Sequence, residues 1–154
     1  MKTMVIFDST FGNTGRIAES IGRALPAGAK TLCVDDVDGS DLASVDILLV
    51  GSPTQGSRPS KAMQGFLDEI ADSALEGKFA AAFDTRLPSR LARLFGFAAE
   101  KMAKNLETKG ARLISDPIGF FVIGQKGPLK EGELERAAEW AREIARQRGS
   151  PEIG

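Results

Sequence analysis

The sequence contains no histidine, no tyrosine, one cysteine and one tryptophan. Without histidine the chain lacks the commonest general base and the commonest metal ligand. This excludes Ser-His-Asp and Cys-His catalysis and argues against a catalytic zinc site. The single cysteine, Cys33, cannot form an internal disulfide. Because it lies in a predicted strand, we expect a thiol buried in the core.

Long apolar runs and a strong net charge are also absent. No apolar run approaches the ~18 residues that would suggest a membrane span, and the N-terminus does not resemble a signal peptide. A net charge of −1 gives no overall field to attract nucleic acid or an acidic membrane. We therefore expect one cytoplasmic domain over residues 1–154 that binds neither nucleic acid nor membrane. The oligomeric state is left open.

Strand and helix patterns alternate along the whole chain. Strands are predicted at residues 3–8, 29–34, 45–51 and 78–84, with a fifth, "ARLIS" and "GFFVIG", interrupted by Asp116-Pro117. Apolar residues at helical spacing lie between them, for example from Met63 to Ala74. The alternation predicts an α/β fold, a doubly wound five-stranded parallel sheet with helices on both faces. Ligands of such sheets bind beyond the carboxyl ends of the strands.

The loop after the first strand, "STFGNT" at residues 9–14, is rich in hydrogen-bonding groups. Gly12 allows close backbone approach, and Thr14 can cap the following helix. The free N–H groups and dipole of a helix N-terminus suit a phosphate. The loop contains neither Gly-Lys-[Ser/Thr] nor G-x-G-x-x-G, so it is not a P-loop or a dinucleotide fingerprint. A simple turn and cap is the alternative interpretation.

The loop after the third strand is "GSPTQGSRPS", residues 51–60. Two prolines and two glycines in ten residues predict a stiff, irregular loop. It is either a connector before a helix capped by Ser60 or a rigid wall for a planar ligand.

Together the two loops resemble the flavodoxin family, whose members bind FMN. "STFGNT" is similar to the loop that wraps the FMN phosphate, and "GSPTQG" to the segment that packs on the flavin ring. The likeness in strand and helix order covers nearly the whole chain and, lacking an insertion in the fifth strand, resembles the short-chain type. It implies that phosphate and ring contacts come from two loops and from the segment beginning at Asp84. The implied cofactor-binding residues are Ser9, Thr10, Phe11, Gly12, Asn13, Thr14, Ser52, Pro53, Thr54, Gln55, Gly56, Asp84, Thr85, Arg86 and Leu87.

The sequence departs from that family in its aromatic residues. Members usually stack the flavin ring between aromatic side chains, but Gln55 stands where the first is commonly found. Trp140, on the last helix, is interpreted as a packing residue far from the ring. Candidates to replace the missing rings are Phe11, Leu87, Phe95 and Phe97, or a partner subunit that covers the flavin.

The charges differ as well. Low-potential members of the family place acidic residues around the ring, whereas the flanking loops here carry Arg58, Lys61, Arg86, Arg90 and Arg93. Cations near the reduced ring would raise its reduction potential. We interpret Arg90 and Arg93 as solvated and Arg86 as the leading candidate for a ligand contact. An acidic stretch, comprising Asp35, Asp36, Asp38 and Asp41, is either a solvated loop or a docking patch for a basic redox partner.

The resemblance implies an FMN-binding electron-transfer protein, with a redox partner protein and without catalytic residues of its own. One alternative is a small flavin-dependent reductase of the NAD(P)H/quinone type. Another is a binding module of the same fold that has lost FMN. A receiver domain fits poorly because the third strand ends in Gly51 rather than an aspartate, and a low-molecular-weight phosphatase would need a cysteine in the first loop.

Overall fold

The computed structural model describes residues 1–26, 29–88, 94 and 96–149. Within these residues, strands and helices alternate as predicted. In chain order they are β1 (Thr3–Phe7), α1 (Asn13–Ala24), β2 (Lys30–Cys33), α2 (Gly39–Ser44), β3 (Ile47–Pro53), α3 (Lys61–Glu69), β4 (Phe79–Arg86), α4 (Ala98–Thr108), β5 (Arg112–Leu113), β6 (Ile118–Phe121) and α5 (Glu133–Gly149). A 3-10 turn, Val34–Asp36, follows β2.

The sheet is parallel, with strand order β2-β1-β3-β4-β5. Both β5 and β6 pair with β4, β5 at Phe79 and Ala80 and β6 from Phe83 to Arg86. They therefore form the two halves of the predicted fifth strand. The interruption falls at the Asp116-Pro117 segment, where a proline cannot donate to the ladder. This confirms the predicted five-stranded doubly wound architecture.

Each face of the sheet is covered by helices, and each has its own apolar core. Met4 and Ile6 point to the face that Met63 of α3 and Met102 of α4 cover. Val5, between them, points to the opposite face, where α1 and α5 pack. Side chains alternate between faces along a strand, so both faces of β1 are buried. This layering leaves the carboxyl ends of the strands as the edge where a ligand can enter.

Several element boundaries differ from the predicted ones. Helix α3 ends at Glu69 and does not reach Ala74, because Ile70 has an extended backbone and Ser73 has a positive φ of 66°. Strand β4 continues beyond Asp84 to Arg86, because β3 and β6 pair with it there. The predicted cap by Ser60 is confirmed, since its Oγ accepts from the Met63 N–H over 3.3 Å.

Cys33 was predicted as a buried thiol and Trp140 as a packing residue. The prediction of a buried Cys33 was wrong in degree, because its strand is at the edge of the sheet and the thiol is half-buried. Trp140 is a packing residue, as predicted: it is 9% exposed and contacts the rings of Phe83 and Phe120 edge-on. The predictions for Arg90, Arg93 and Phe95 lie outside the described residues.

Candidate functional site

A cleft of about 650 Å³ opens at the carboxyl ends of β1, β3 and β4. All but three of the residues predicted for cofactor binding line it. These are Ser9, Thr10, Phe11, Asn13, Thr14, Pro53, Thr54, Gln55, Gly56, Thr85, Arg86 and Leu87. The three parallel strands end at the same edge, which brings residues distant in sequence together. The cleft has the volume of a site for a small ligand or cofactor.

The loop after β1 is shaped by Ser9 and Gly12. The Ser9 hydroxyl oxygen accepts from the N–H groups of Gly12, at 3.1 Å, and Gly15, at 3.2 Å. Gly12 precedes α1 with a φ of 90°, a conformation that disfavours side chains with a Cβ. Gly12 itself does not line the cleft, but it turns the chain so that its neighbours do.

Four backbone N–H groups in this loop have no acceptor among the residues that the structure describes. They belong to Thr10, Phe11, Asn13 and Thr14, all of which line the cleft. The last two begin α1, so the positive end of its dipole lies at the same place. Such an arrangement offers hydrogen-bond donors and a favourable potential to an anion.

Thr14 does not cap α1 as predicted, because the helix already begins at Asn13. Its side chain is buried, and its hydroxyl shares a 2.8 Å hydrogen bond with the hydroxyl of Thr85 in β4. The bond fixes the start of α1 against the central part of the sheet. Asn13 attaches the loop on its other side, since its Nδ2 donates to the Lys126 carbonyl over 3.2 Å.

The loop after β3 forms the second wall. The Thr54 N–H donates to the Thr85 carbonyl, while the Thr54 hydroxyl accepts from the Ala98 N–H at the start of α4. Gln55 and Arg58 exchange both backbone hydrogen bonds, which closes the tight turn through Gly56. The Gln55 Nε2 also donates to the Thr10 hydroxyl over 3.1 Å. The two cleft loops are therefore joined directly.

Ser52 and Asp84 belong to the structure behind the cleft and do not line it, contrary to the sequence prediction. Both are fully buried at the ends of β3 and β4. The Ser52 hydroxyl accepts from the Ser60 N–H, which ties the loop to the start of α3. Asp84 is bonded to Arg86 and accepts from the Ala99 N–H over 2.9 Å.

Arg86 lines the cleft, but its position is fixed by three neighbours. Its Nε and one terminal nitrogen donate to the two carboxylate oxygens of Asp84 at 2.7 and 2.8 Å. Its guanidinium lies over the Phe97 ring, 3.6 Å from the centroid. A Cβ at Gly119 would lie 2.0 Å from the Arg86 Nε, so only glycine leaves room there. The guanidinium is thus a fixed part of the wall.

Four further residues line the cleft that sequence reasoning did not assign to it, namely Ser57, Phe97, Val122 and Gln125. Phe97 was considered only as a replacement aromatic residue. Val122 and Gln125 follow β6, the second half of the fifth strand. The predicted parallel topology could have indicated that both residues lie at the cleft, because the loop after every parallel strand lies at the same edge of the sheet.

The described residues offer neither a metal site nor a membrane-spanning helix. In the described ranges, no group of three or more cysteine, aspartate or glutamate residues is placed to hold a metal ion. Nor does any described helix combine the length and apolar character that crossing a bilayer requires.

Comparisons with known proteins point to one family. The flavodoxin family model matches residues 5–140 of the chain. A flavodoxin from Clostridium saccharobutylicum is 30% identical over 124 residues, which are 78% of this chain and 76% of that protein. A match to a flavodoxin from Aquifex aeolicus is 33% identical over 95 residues but covers about half of each protein.

Solved structures agree in fold. An archaeal flavodoxin superimposes with a TM-score of 0.77 at 24% identity, covering 96% of this chain and 98% of that one. Oxidised flavodoxin 1 from Bacillus cereus gives a TM-score of 0.79 at 21% identity, covering 95% and 98%. With the family model matched over most of its length, the chain belongs to the flavodoxin family.

Proposed function

We propose that this flavodoxin carries electrons on an FMN held in the cleft, with the phosphate in the loop after β1. The observation that carries this proposal is a set of four N–H groups beside the N-terminus of α1, at residues 10, 11, 13 and 14, for which the described residues offer no acceptor. All four residues line the cleft. These donors suit a phosphate dianion, whose oxygens accept several hydrogen bonds.

The flavin ring would then extend toward the second loop and the end of β4. On that side the cleft is lined by Pro53, Gln55, Leu87 and Phe97. Phe97 is 9% exposed and already packs against the Arg86 guanidinium. We assign it an edge contact with the ring, and we assign the open faces of the ring to Gln55 and Leu87. An aliphatic and an amide side chain thus take the place of two aromatic ones.

FMN, when bound, supplies the redox chemistry, since it accepts and releases electrons one or two at a time. The chain binds it, orients it and sets the local electrostatics. Arg86 contributes less positive charge to the ring than its sequence position suggests, because the Asp84 carboxylate is bonded to it at 2.7 and 2.8 Å. The predicted rise in reduction potential therefore depends mainly on cations that have no such partner.

Family membership favours this electron-carrier function over a flavin-dependent reductase or a module that has lost FMN. The flavodoxin family model matches residues 5–140, a range that includes both cleft loops. The cytoplasmic location and the residue-by-residue contacts remain predictions.

The test is a titration of the purified apoprotein with FMN, followed by visible absorbance and flavin fluorescence. We expect one FMN per chain and quenched fluorescence. The reduced complex should pass electrons to an added acceptor without oxidising NAD(P)H in a steady state. A protein that stays colourless in excess FMN would contradict the proposal. Sustained NAD(P)H turnover with a quinone would favour the reductase.

A further inference from the structure

Exposed apolar side chains are concentrated around the mouth of the cleft. Apart from Met1, the large hydrophobic residues that are exposed in the described part of the chain are Phe11, Leu87, Leu94 and Ile123, at 50%, 41%, 78% and 68%. Phe11 and Leu87 line the cleft, and Ile123 directly follows Val122, which also lines it. Exposed apolar residues grouped in this way, rather than scattered singly, mark an interaction surface.

Cations surround this apolar surface. Arg58 directly follows Ser57, Lys126 directly follows Gln125, and both preceding residues line the cleft. Lys101 reaches the same place, because its Nζ donates to the Ser57 carbonyl over 2.6 Å. Arg58, Lys101 and Lys126 form no ion pair with any residue in the described ranges. Their positive charge is therefore not cancelled by a bonded carboxylate.

Near the cleft, acidic residues are fewer than these cations or already form an ion pair or a helix cap. Asp84 is paired with Arg86 behind the wall, while Asp8 directly precedes Ser9 of the lining and the exposed Glu100 directly precedes Lys101. In the acidic stretch after β2, Asp38 and Asp41 form the capping box of α2. Asp35 and Asp36 are exposed, but they follow the edge strand and do not line the cleft. The rim of the cleft is thus positive on balance.

We propose that this surface, with apolar Phe11, Leu87 and Ile123 inside a rim of Arg58, Lys101 and Lys126, docks an acidic electron-transfer protein. The inference rests on the proposed function, because the partner would approach the flavin held in the cleft. With FMN bound, the reduced cofactor would supply one electron, and a metal centre in the partner would be reduced by that one electron. Complementary charge steers and orients the encounter, and the apolar centre excludes water once the proteins meet.

The experiment uses two haem proteins of opposite charge as probes, acidic cytochrome b5 and basic cytochrome c. The FMN-loaded protein is reduced, mixed with each probe by stopped flow, and followed at the haem bands as NaCl is varied. For cytochrome b5 we expect the rate to fall about tenfold between about 20 mM and about 300 mM salt. For cytochrome c we expect a rate that is flat or that rises with salt.

Charge-reversal variants locate the effect. Arg58→Glu combined with Lys126→Glu should remove the salt dependence with cytochrome b5 and accelerate cytochrome c. The matched control is Arg23→Glu combined with Arg112→Glu, which changes the net charge equally. Arg23 lies in the last turn of α1 and Arg112 begins β5, so both lie at the edge of the sheet opposite the cleft. The control should leave the preference for cytochrome b5 in place.

Failure of this inference is distinguishable from failure of FMN binding. The FMN titration is performed first on each variant, and binding of oxidised cytochrome b5 to the apoprotein is measured by calorimetry at low salt. Loss of binding in the rim variant but not in the control supports the docking surface even if no flavin binds. The docking surface would be contradicted by a reaction with cytochrome c that is faster at low salt than at high salt. Equal effects of the rim and control variants would contradict it as well.

Discussion

The guanidinium of Arg86 lies 3.6 Å from the centroid of the Phe97 ring, and this contact connects the end of β4 to the start of α4. Asp84 strengthens the same connection, because it binds the guanidinium with both oxygens and accepts from the Ala99 N–H. The Asp84 side chain is 0% exposed and that of Arg86 14%. A rigid wall of the cleft therefore depends on one buried ion pair.

Breaking this pair should destabilise the protein strongly. Arg86→Met leaves the Asp84 carboxylate buried without its counter-ion, which typically costs about 3–5 kcal/mol. We expect the free energy of unfolding, measured with urea, to fall by that amount. The double variant Asp84→Asn with Arg86→Met should recover part of the loss, because an amide oxygen still accepts from the Ala99 N–H. Equal stability of the single variant and the wild type would show that the pair is solvated.

The left-handed conformation at Gly12 gives a second prediction. At a φ of 90°, an alanine would carry about 1–2 kcal/mol of backbone strain in this loop. Gly12→Ala should therefore lower the free energy of unfolding of the FMN-saturated protein by about that amount. The control is Gly39→Ala, since Gly39 lies in α2 with nothing near its Cβ position. If both variants behave alike, the loop does not require the strained conformation.

Much of the fold follows from local patterns in the sequence. The alternation of apolar strands with helical spacing was enough to predict the parallel sheet, because crossover helices must cover both of its faces. Individual boundaries depend on tertiary pairing instead. Strand β4 extends to Arg86 since β6 supplies partners for it, and β6 lies more than thirty positions further along the chain.

The candidate site was predictable where the chain itself presents groups to the edge of the sheet. The first loop is an example, because its hydroxyls and glycine follow β1 directly. The roles of Asp84 and Thr14 were not, because they depend on which neighbour reaches each side chain. Asp84 was predicted as the last residue of a strand and the first of the segment that contacts the ligand, and only the pairing with Arg86 and the contact with α4 place it behind the wall.

The Phe121 N–H of β6 donates to the Glu133 carboxylate of α5, and the stability that this bond contributes should depend on pH. The Arg136 guanidinium bonded to Glu133 holds the pKa of that carboxyl below its ordinary value of 4.5, and the hydrogen bond from the Phe121 N–H acts in the same direction. A lowered pKa in the folded state means that the stabilisation is present above the ordinary value. It is lost as the pH falls through the lowered pKa.

Glu133→Gln should therefore reduce stability most at neutral pH. We expect a loss of about 1–2 kcal/mol near pH 7, because a charge-assisted bond is replaced by a neutral one. The difference from the wild type should shrink as the pH falls below the ordinary value of 4.5 and through the lowered pKa, where the wild-type carboxyl also becomes neutral. Urea unfolding of both proteins across this range measures it. A difference that is independent of pH would mean that packing, not charge, carries the effect.

The final prediction concerns Gln55, which stands where a stacking ring is expected and donates a hydrogen bond to Thr10 instead. An aromatic side chain adds about 0.5–1.5 kcal/mol beyond the area that it buries. Gln55→Tyr should therefore tighten FMN binding by about twofold to tenfold, measured by fluorescence titration. Gln64→Tyr, on α3 and outside the cleft, is the matched control and should leave the affinity unchanged.

Gln55→Leu separates stacking from the loss of the bond. It removes the hydrogen bond to Thr10 without supplying a ring. The FMN affinity of this variant therefore reports how much the hydrogen bond preorganises the two loops for binding. Since each loop has its own anchors, Asn13 to Lys126 and Thr54 to Thr85, we expect less than a threefold change. If Gln55→Leu tightens binding as much as Gln55→Tyr does, the gain comes from opening the cleft. The flavin would then not stack at this position, and the open face of the ring would be set by Leu87 instead.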